Sequence, residues 1–90
     1  MVTIASLRVS PDERFLAYVV HSKKQAFLSG PSEEIFVMDL GAGGEKKVAE
    51  HSYAGNLIWS PDGNRLYFAG GAYSSDCAVF IVDVATTFSQ

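Results

Sequence analysis

Serine, aspartate and histidine are the residue types here that serve nucleophilic chemistry, and two serine–aspartate pairs recur in matching settings. The first lies in Val9-Ser10-Pro11-Asp12-Glu13-Arg14-Phe15-Leu16-Ala17-Tyr18. The second lies in Trp59-Ser60-Pro61-Asp62-Gly63-Asn64-Arg65-Leu66-Tyr67-Phe68. A hydrolytic serine needs a base within hydrogen-bond reach and a third group that orients the base. His21 and His51 are the available imidazoles, and any triad drawn from them is a coincidence of many serines and aspartates. No Gly-x-Ser-x-Gly elbow occurs, and Ser10 and Ser60 each precede a proline in turn-forming sequence. No catalytic residue is assigned.

Metal and cofactor chemistry fare no better. His21 and His51, with their acidic neighbours, lack metal-ligand spacing and read as surface-loop histidines. Glu33-Glu34 sits in a Ser/Pro/Gly-rich loop and reads as solvated. The glycine cluster in Val37-Met38-Asp39-Leu40-Gly41-Ala42-Gly43-Gly44-Glu45 is similar to the first motif of Rossmann-like methyltransferases. Glu45, however, holds the place of the third glycine. Trp59-Ser60-Pro61 stands where an acidic residue should end a second strand. A doubly wound sheet also needs crossover helices, and no segment of adequate length has a helical period. The cluster reads as a turn between strands, with no cofactor site.

Length and composition bound the rest. Ninety residues make one small domain, and 48% apolar with 19% charged residues is a globular balance. A net charge of −3 argues against nucleic acid, whose binders show a basic face. Lys23-Lys24 and Lys46-Lys47 are isolated pairs that read as solvated loop residues. Apolar runs are far short of the roughly 20 residues that span a bilayer. The N-terminal Met1-Val2-Thr3-Ile4 shows no signal-peptide pattern. Periplasmic and cytoplasmic locations both stay open. Cys77 is the sole cysteine, so no internal disulfide forms. It reads as a small strand residue, with a reactive thiol as the alternative.

The elements that frame the two serine–aspartate pairs are short strands. Thr3–Val9 leads into Ser10-Pro11-Asp12, and Phe15–Val20 follows as an aromatic and β-branched run covered on both faces. Proline presets φ at the second turn position, and aspartate bonds nearby backbone. Gly63 supplies a positive φ in the second copy. Glu13 stands there in the first, at a cost of about 1 kcal/mol if its backbone is left-handed. A polar stretch from His21 to Glu34, with Ser29-Gly30-Pro31-Ser32 as its turn signal, leads to a third strand, Ile35–Leu40. Gly41–Gly44 turns the chain into a short exposed strand, Lys46–Glu50.

Then the series restarts. Leu57-Ile58-Trp59 is a strand, Ser60-Pro61-Asp62-Gly63 the turn, and Arg65–Ala69 the second strand. Gly70 to Asp76 reads as a loop and Ala78–Val84 as the third strand. The two Ser-Pro-Asp triplets are fifty positions apart (60 minus 10). Leu7 matches Leu57, Val9 matches Trp59, Leu16 matches Leu66, Tyr18 matches Phe68 and Asp39 matches Asp83. A four-strand repeat with a period of about 40–50 residues is the sign of propeller blades. An ordinary sandwich would show cleaner alternation and no repeat.

At these residues the chain resembles the WD-like propeller repeats of the TolB-like superfamily. Trp59-Ser60-Pro61-Asp62-Gly63 with Leu66, and Ile35-Phe36-Val37-Met38-Asp39-Leu40, carry that resemblance over about Leu7 to Val84. It implies an all-β fold of two four-stranded antiparallel blades within a single module, 1–90. Blade one covers about 3–50. Blade two covers about 54–90 and is incomplete, its outer strand shortened to Thr86-Thr87-Phe88-Ser89. Ser10, Pro11, Asp12, Ser60, Pro61, Asp62 and Gly63 are then structural turn residues. Such blades occur in TolB-type proteins, which dock protein partners, and in prolyl-oligopeptidase-like peptidases, where a propeller caps a hydrolase domain. Paired glutamates hold a substrate amine in some of those peptidases, but the residues around Glu33-Glu34 do not match.

The expected function is a non-catalytic scaffold or protein-interaction module. The alternative is the propeller segment of a larger prolyl-oligopeptidase-like serine hydrolase, and a small-molecule-binding or methyltransferase-like protein comes third. Two blades leave apolar flanks and unpaired edges. The expected partners are therefore a protein, the remainder of a longer chain, or further copies of this one closing a ring. No nucleic acid or membrane partner is expected. Trp59 and Tyr67 are expected between blades, and Tyr73 is the candidate partner contact.

Overall fold

Two antiparallel series of hairpins build the chain, and the first hairpin of each is closed by a five-residue connection, Ser10–Arg14 and Ser60–Asn64. The computed structural model describes residues 2–22, 32–51, 53–73 and 76–89. Strands β1 (Val2–Val9), β2 (Phe15–Ser22), β3 (Ser32–Asp39) and β4 (Glu45–His51) form a four-stranded sheet in that order. Strands β5 (Tyr53–Trp59), β6 (Arg65–Tyr73) and β7 (Asp76–Asp83) form a three-stranded one, followed by a short helix, α1 (Val84–Ser89). The Lys23-Lys24 pair and the Ser29-Gly30-Pro31 turn signal lie outside the described residues.

Side chains alternate across a strand, so register decides which residues share a face. Ala17 pairs with Val37 and Val19 with Ile35 on one face of the first sheet. Leu16 pairs with Met38 and Tyr18 with Phe36 on the other. The second sheet repeats this register: Tyr67 pairs with Ile81, Ala69 with Val79, Leu66 with Val82 and Phe68 with Phe80. The first set of one sheet packs on the second set of the other. Phe15, Ala17, Val19, Ile35 and Val37 meet Ala54, Leu57, Leu66, Phe68 and Val84 in one buried cluster. Each large side chain enclosed this way contributes about 1.5–3 kcal/mol. This layer is the core.

The repeat extends to backbone irregularities. A β-bulge interrupts β1 between Ala5 and Leu7, where Ser6 has φ 58°. Its counterpart interrupts β5 between Gly55 and Ile58, where Asn56 has φ 56°. The two left-handed residues are fifty positions apart, as the turns are (56 minus 6). Glu13 and Gly63, at φ 61° and 77°, form another such pair.

The repeats part after the third strand. In the first sheet Asp39 Oδ1 accepts Gly41 N and Ala42 N at 2.9 and 3.0 Å, and Gly43 takes φ 88° to complete a hairpin. In the second, Asp83 Oδ1 accepts Thr86 N at 3.1 Å, which caps a helix start. Ala85-Thr86-Thr87 offers no glycine for the left-handed turn that Gly43 makes. The expected outer strand at Thr86–Ser89 is therefore helix, and the second sheet has three strands among the described residues. The expected loop at Gly70–Asp76 is also corrected: β6 runs on to Tyr73, which pairs with Asp76.

Glu13 occupies a left-handed position without the freedom of glycine. Glu13→Gly should raise stability by about 0.5–1 kcal/mol, read by urea unfolding of the dilute chain. An unchanged or lower midpoint would show that the position is not strained.

Candidate interaction surface

The two Ser-Pro-Asp turns bring their polar groups together locally. Ser10 Oγ donates to Asp12 Oδ1 at 2.6 Å and accepts Phe15 N at 3.0 Å. Asp12 Oδ1 also accepts Arg14 N at 3.2 Å. Backbone bonds Ser10 N to Phe15 O and Glu13 N to Ser10 O close the loop at 2.9 Å each. The second turn copies the first: Ser60 Oγ to Asp62 Oδ1 at 2.6 Å, Arg65 N to Ser60 Oγ at 3.0 Å, and Asn64 N to Asp62 Oδ1 at 3.0 Å. Ser10 and Ser60 are buried. The serine hydroxyl in each case lowers its aspartate's pKa below the usual 3.8, with the backbone amide two residues on as the next cause.

Other candidate residues prove to be strand residues. His51 ends β4 and lies against Phe80 and Phe68, ring centroids 4.7 and 5.9 Å away. His21 lies in β2, and both histidines are half-buried rather than in loops. Glu33 and Glu34 are in β3, not in a loop. Glu34 pairs with Lys47 at 3.2 Å, and Glu33 Oε1 accepts Ala54 N at 3.4 Å. Lys46 Nζ donates to Thr87 O at 2.8 Å and lies over the Phe88 ring. Cys77 lies in β7 and is exposed. The glycine cluster is the β3–β4 hairpin. Among the described residues no three histidines, cysteines or acids stand together as metal ligands.

What the tertiary structure does assemble is an interface between sheets. Phe15 is fully enclosed, stacked on Trp59 at 5.9 Å and tilted against Phe88 at 5.3 Å. Trp59 Nε1 donates to Arg8 O at 2.9 Å, tying β5 to β1. The two turns also meet directly. A Cβ placed on Gly63 would lie 2.8 Å from Asp12 Oδ1. Trp59 thus packs between the sheets as expected, whereas Tyr67 is on the opposite, outward face. Tyr73 is placed by its backbone in β6; its side chain is outside the described residues.

The outward faces carry the same residues' counterparts, uncovered. Ile35 and Val37 are 0% exposed, while Val79 and Ile81, which hold the same register places in the second sheet, are 77% and 64% exposed. Conversely Leu57 is 3% exposed and its counterpart Leu7 is 55% exposed. Ile4, Val9 and Ile58 add further exposed apolar surface. Tyr18 is buried on the first sheet's outer face, where its hydroxyl donates to Glu45. Burial and that carboxylate push its pKa up to about 12.

No family model matches the chain, and comparison with curated proteins finds no match. Among solved structures the chain is similar to the β-propeller domain of the Trilobed protease from Pyrococcus furiosus, described as having an open velcro topology. The TM-score is 0.71 at 24% identity, covering 92% of this chain and 26% of that one. The chain thus spans about a quarter of that structure's length. The fold is that of β-propeller blades, the first of four strands and the second, with three, incomplete.

Two outcomes follow from the turns. Gly63→Ala should cost about 2 kcal/mol or more, since it adds an overlap with Asp12 to an unfavourable φ. Gly43→Ala, at φ 88° with nothing within 4 Å, should cost only about 1 kcal/mol. Equal losses in chemical unfolding would remove Asp12 from the interface. The aspartates' lowered pKa values make a contribution that is full above the unfolded value near 3.8 and lost as pH falls through the lower folded values. Ser60→Ala should therefore be less stable than the unaltered chain at neutral pH, the part-buried Arg65 amide also losing its side-chain acceptor. The gap should narrow on acidification to about pH 2; a gap independent of pH would contradict this.

Proposed function

We propose that the chain is a non-catalytic β-propeller module of the TolB-like type, serving as a scaffold and protein-interaction surface. The observation that supports this most is the fate of its chemistry-bearing residues. Both buried serines and their aspartates are engaged within their own turns, each serine bonding the aspartate and the amide that closes the loop. A serine so engaged has no imidazole as partner, and its hydroxyl points into a turn rather than toward a cleft. The apolar outward faces are the surface left for recognition. The partner is a protein surface that covers them, the remainder of a longer propeller included.

A second reading has one observation in its favour. The similar propeller belongs to a protease by its description, which suits a propeller segment of a larger prolyl-oligopeptidase-like serine hydrolase. In that case the nucleophile belongs to another domain, and a hydrolase frame with a nucleophile elbow would adjoin this one in the genome. Neither reading places a reactive serine in these residues. A fluorophosphonate probe of active serines should leave the chain unlabelled. Stoichiometric labelling, mapped to any serine and lost on its replacement by alanine, would overturn the non-catalytic reading.

A further inference from the structure

We propose that the outward face of the second blade seats a further sheet of the same repeat, one whose turn carries glycine at the place of Gly63. We also propose that Glu13 bars a second copy of this chain from that seat. The inference rests on the module being an interaction surface, and it names the partner's chemistry.

The seat is defined by the interface already present. The first blade receives the second on Ala17, Val19, Ile35 and Val37, all buried. Tyr67, Ala69, Val79 and Ile81 repeat those places in register on the second blade. That face keeps the register and apolar character of the receiving surface, with Tyr67 at the place of Ala17, and so suits a sheet presenting the counterparts of Leu57, Leu66 and Phe68. The turns add a stricter condition. Asp12 of the receiving blade lies so close to Gly63 of the docked blade that a Cβ there would stand 2.8 Å from Oδ1 and 2.9 Å from Cγ. Its carboxylate cannot swing aside cheaply, because Ser10 Oγ and Arg14 N both hold Oδ1. Asp62, held by Ser60 Oγ and Asn64 N, presents the same group to whatever docks on the second blade.

A second copy of the chain offers its first blade to this seat with most of the required residues. Leu7, Leu16 and Tyr18 stand where Leu57, Leu66 and Phe68 stand. Glu13 stands where Gly63 does, with its backbone in the same left-handed region. It brings a Cβ into the space of the Asp62 carboxylate and a second negative charge beside it. Like charges in contact across an interface suppress the wrong partner. Glycine at that place is thus the feature that admits a sheet, and glutamate the feature that refuses one.

The test uses the chain as its own probe. Glu13→Gly supplies the missing glycine on the first blade, so one molecule's first blade should dock on another's second. Sedimentation velocity over a concentration series should show self-association at least about tenfold tighter than that of the unaltered chain. Adding Ile81→Asp, an exposed position on the seat, should return association to the unaltered level. Circular dichroism checks that each variant keeps its strands. Glu13→Gly associating no more tightly than the unaltered chain would overturn the proposal. Association that survives Ile81→Asp would place the contact elsewhere and overturn it equally. Serine labelling does not depend on assembly, so failure here and failure of the non-catalytic reading are separately visible.

Discussion

A sheet of four short strands with two apolar faces cannot shield both by itself, and the structure is organised around that constraint. Phe15 is where it is met most completely. The ring is enclosed by Trp59, Phe88 and the core layer, so three separate stretches of chain converge on one side chain. Packing there sets the distance between blades. That distance then brings Trp59 Nε1 to Arg8 O and the Asp12 turn to Gly63. Remove the layer and neither sheet has an interior.

The same constraint explains why polar residues of catalytic type serve the backbone. A tight connection between buried strands must satisfy its own amides. The serine hydroxyl accepts the Phe15 or Arg65 amide and donates to the aspartate, while the aspartate accepts the amide two residues on. Helix α1 serves a related need. It turns Phe88 back onto Phe15, and Lys46 holds it there through Thr87 O. The second sheet loses a fourth strand and the interface gains a lid.

Much of this was legible in the chain. The paired triplets, the fifty-residue spacing and the matched apolar places led to two antiparallel sheets of propeller type. They did so because turn chemistry and strand alternation are local. Glu13 in the glycine place was readable as a left-handed position by comparison with Gly63. The bulges at Ser6 and Asn56 were not, although their fifty-residue spacing is the same; serine and asparagine are ordinary turn and strand-end residues, without the signal of a glycine. His51 and Glu33 read as loop residues because their neighbours are polar, whereas Lys46 and Lys47 fall in the short exposed strand expected over Lys46–Glu50. The partners of His51, Glu33 and Lys46 come from sequence-distant strands and from the helix.

The candidate surface divides the same way. Composition marked apolar strands as covered on both faces, and the repeat required more of the same at each flank. Which face of which sheet is occupied was decided only by the tertiary structure, because Val37 and Ile81 hold equivalent places in register and have opposite exposures. Tyr67 went outward and Trp59 inward for that reason. The sequence by itself determined the repeat, the turns and the strands, since each depends on residues a few positions apart. Folding alone decided that Asp12 meets Gly63, because contact between turns fifty residues apart exists only once the two sheets are stacked.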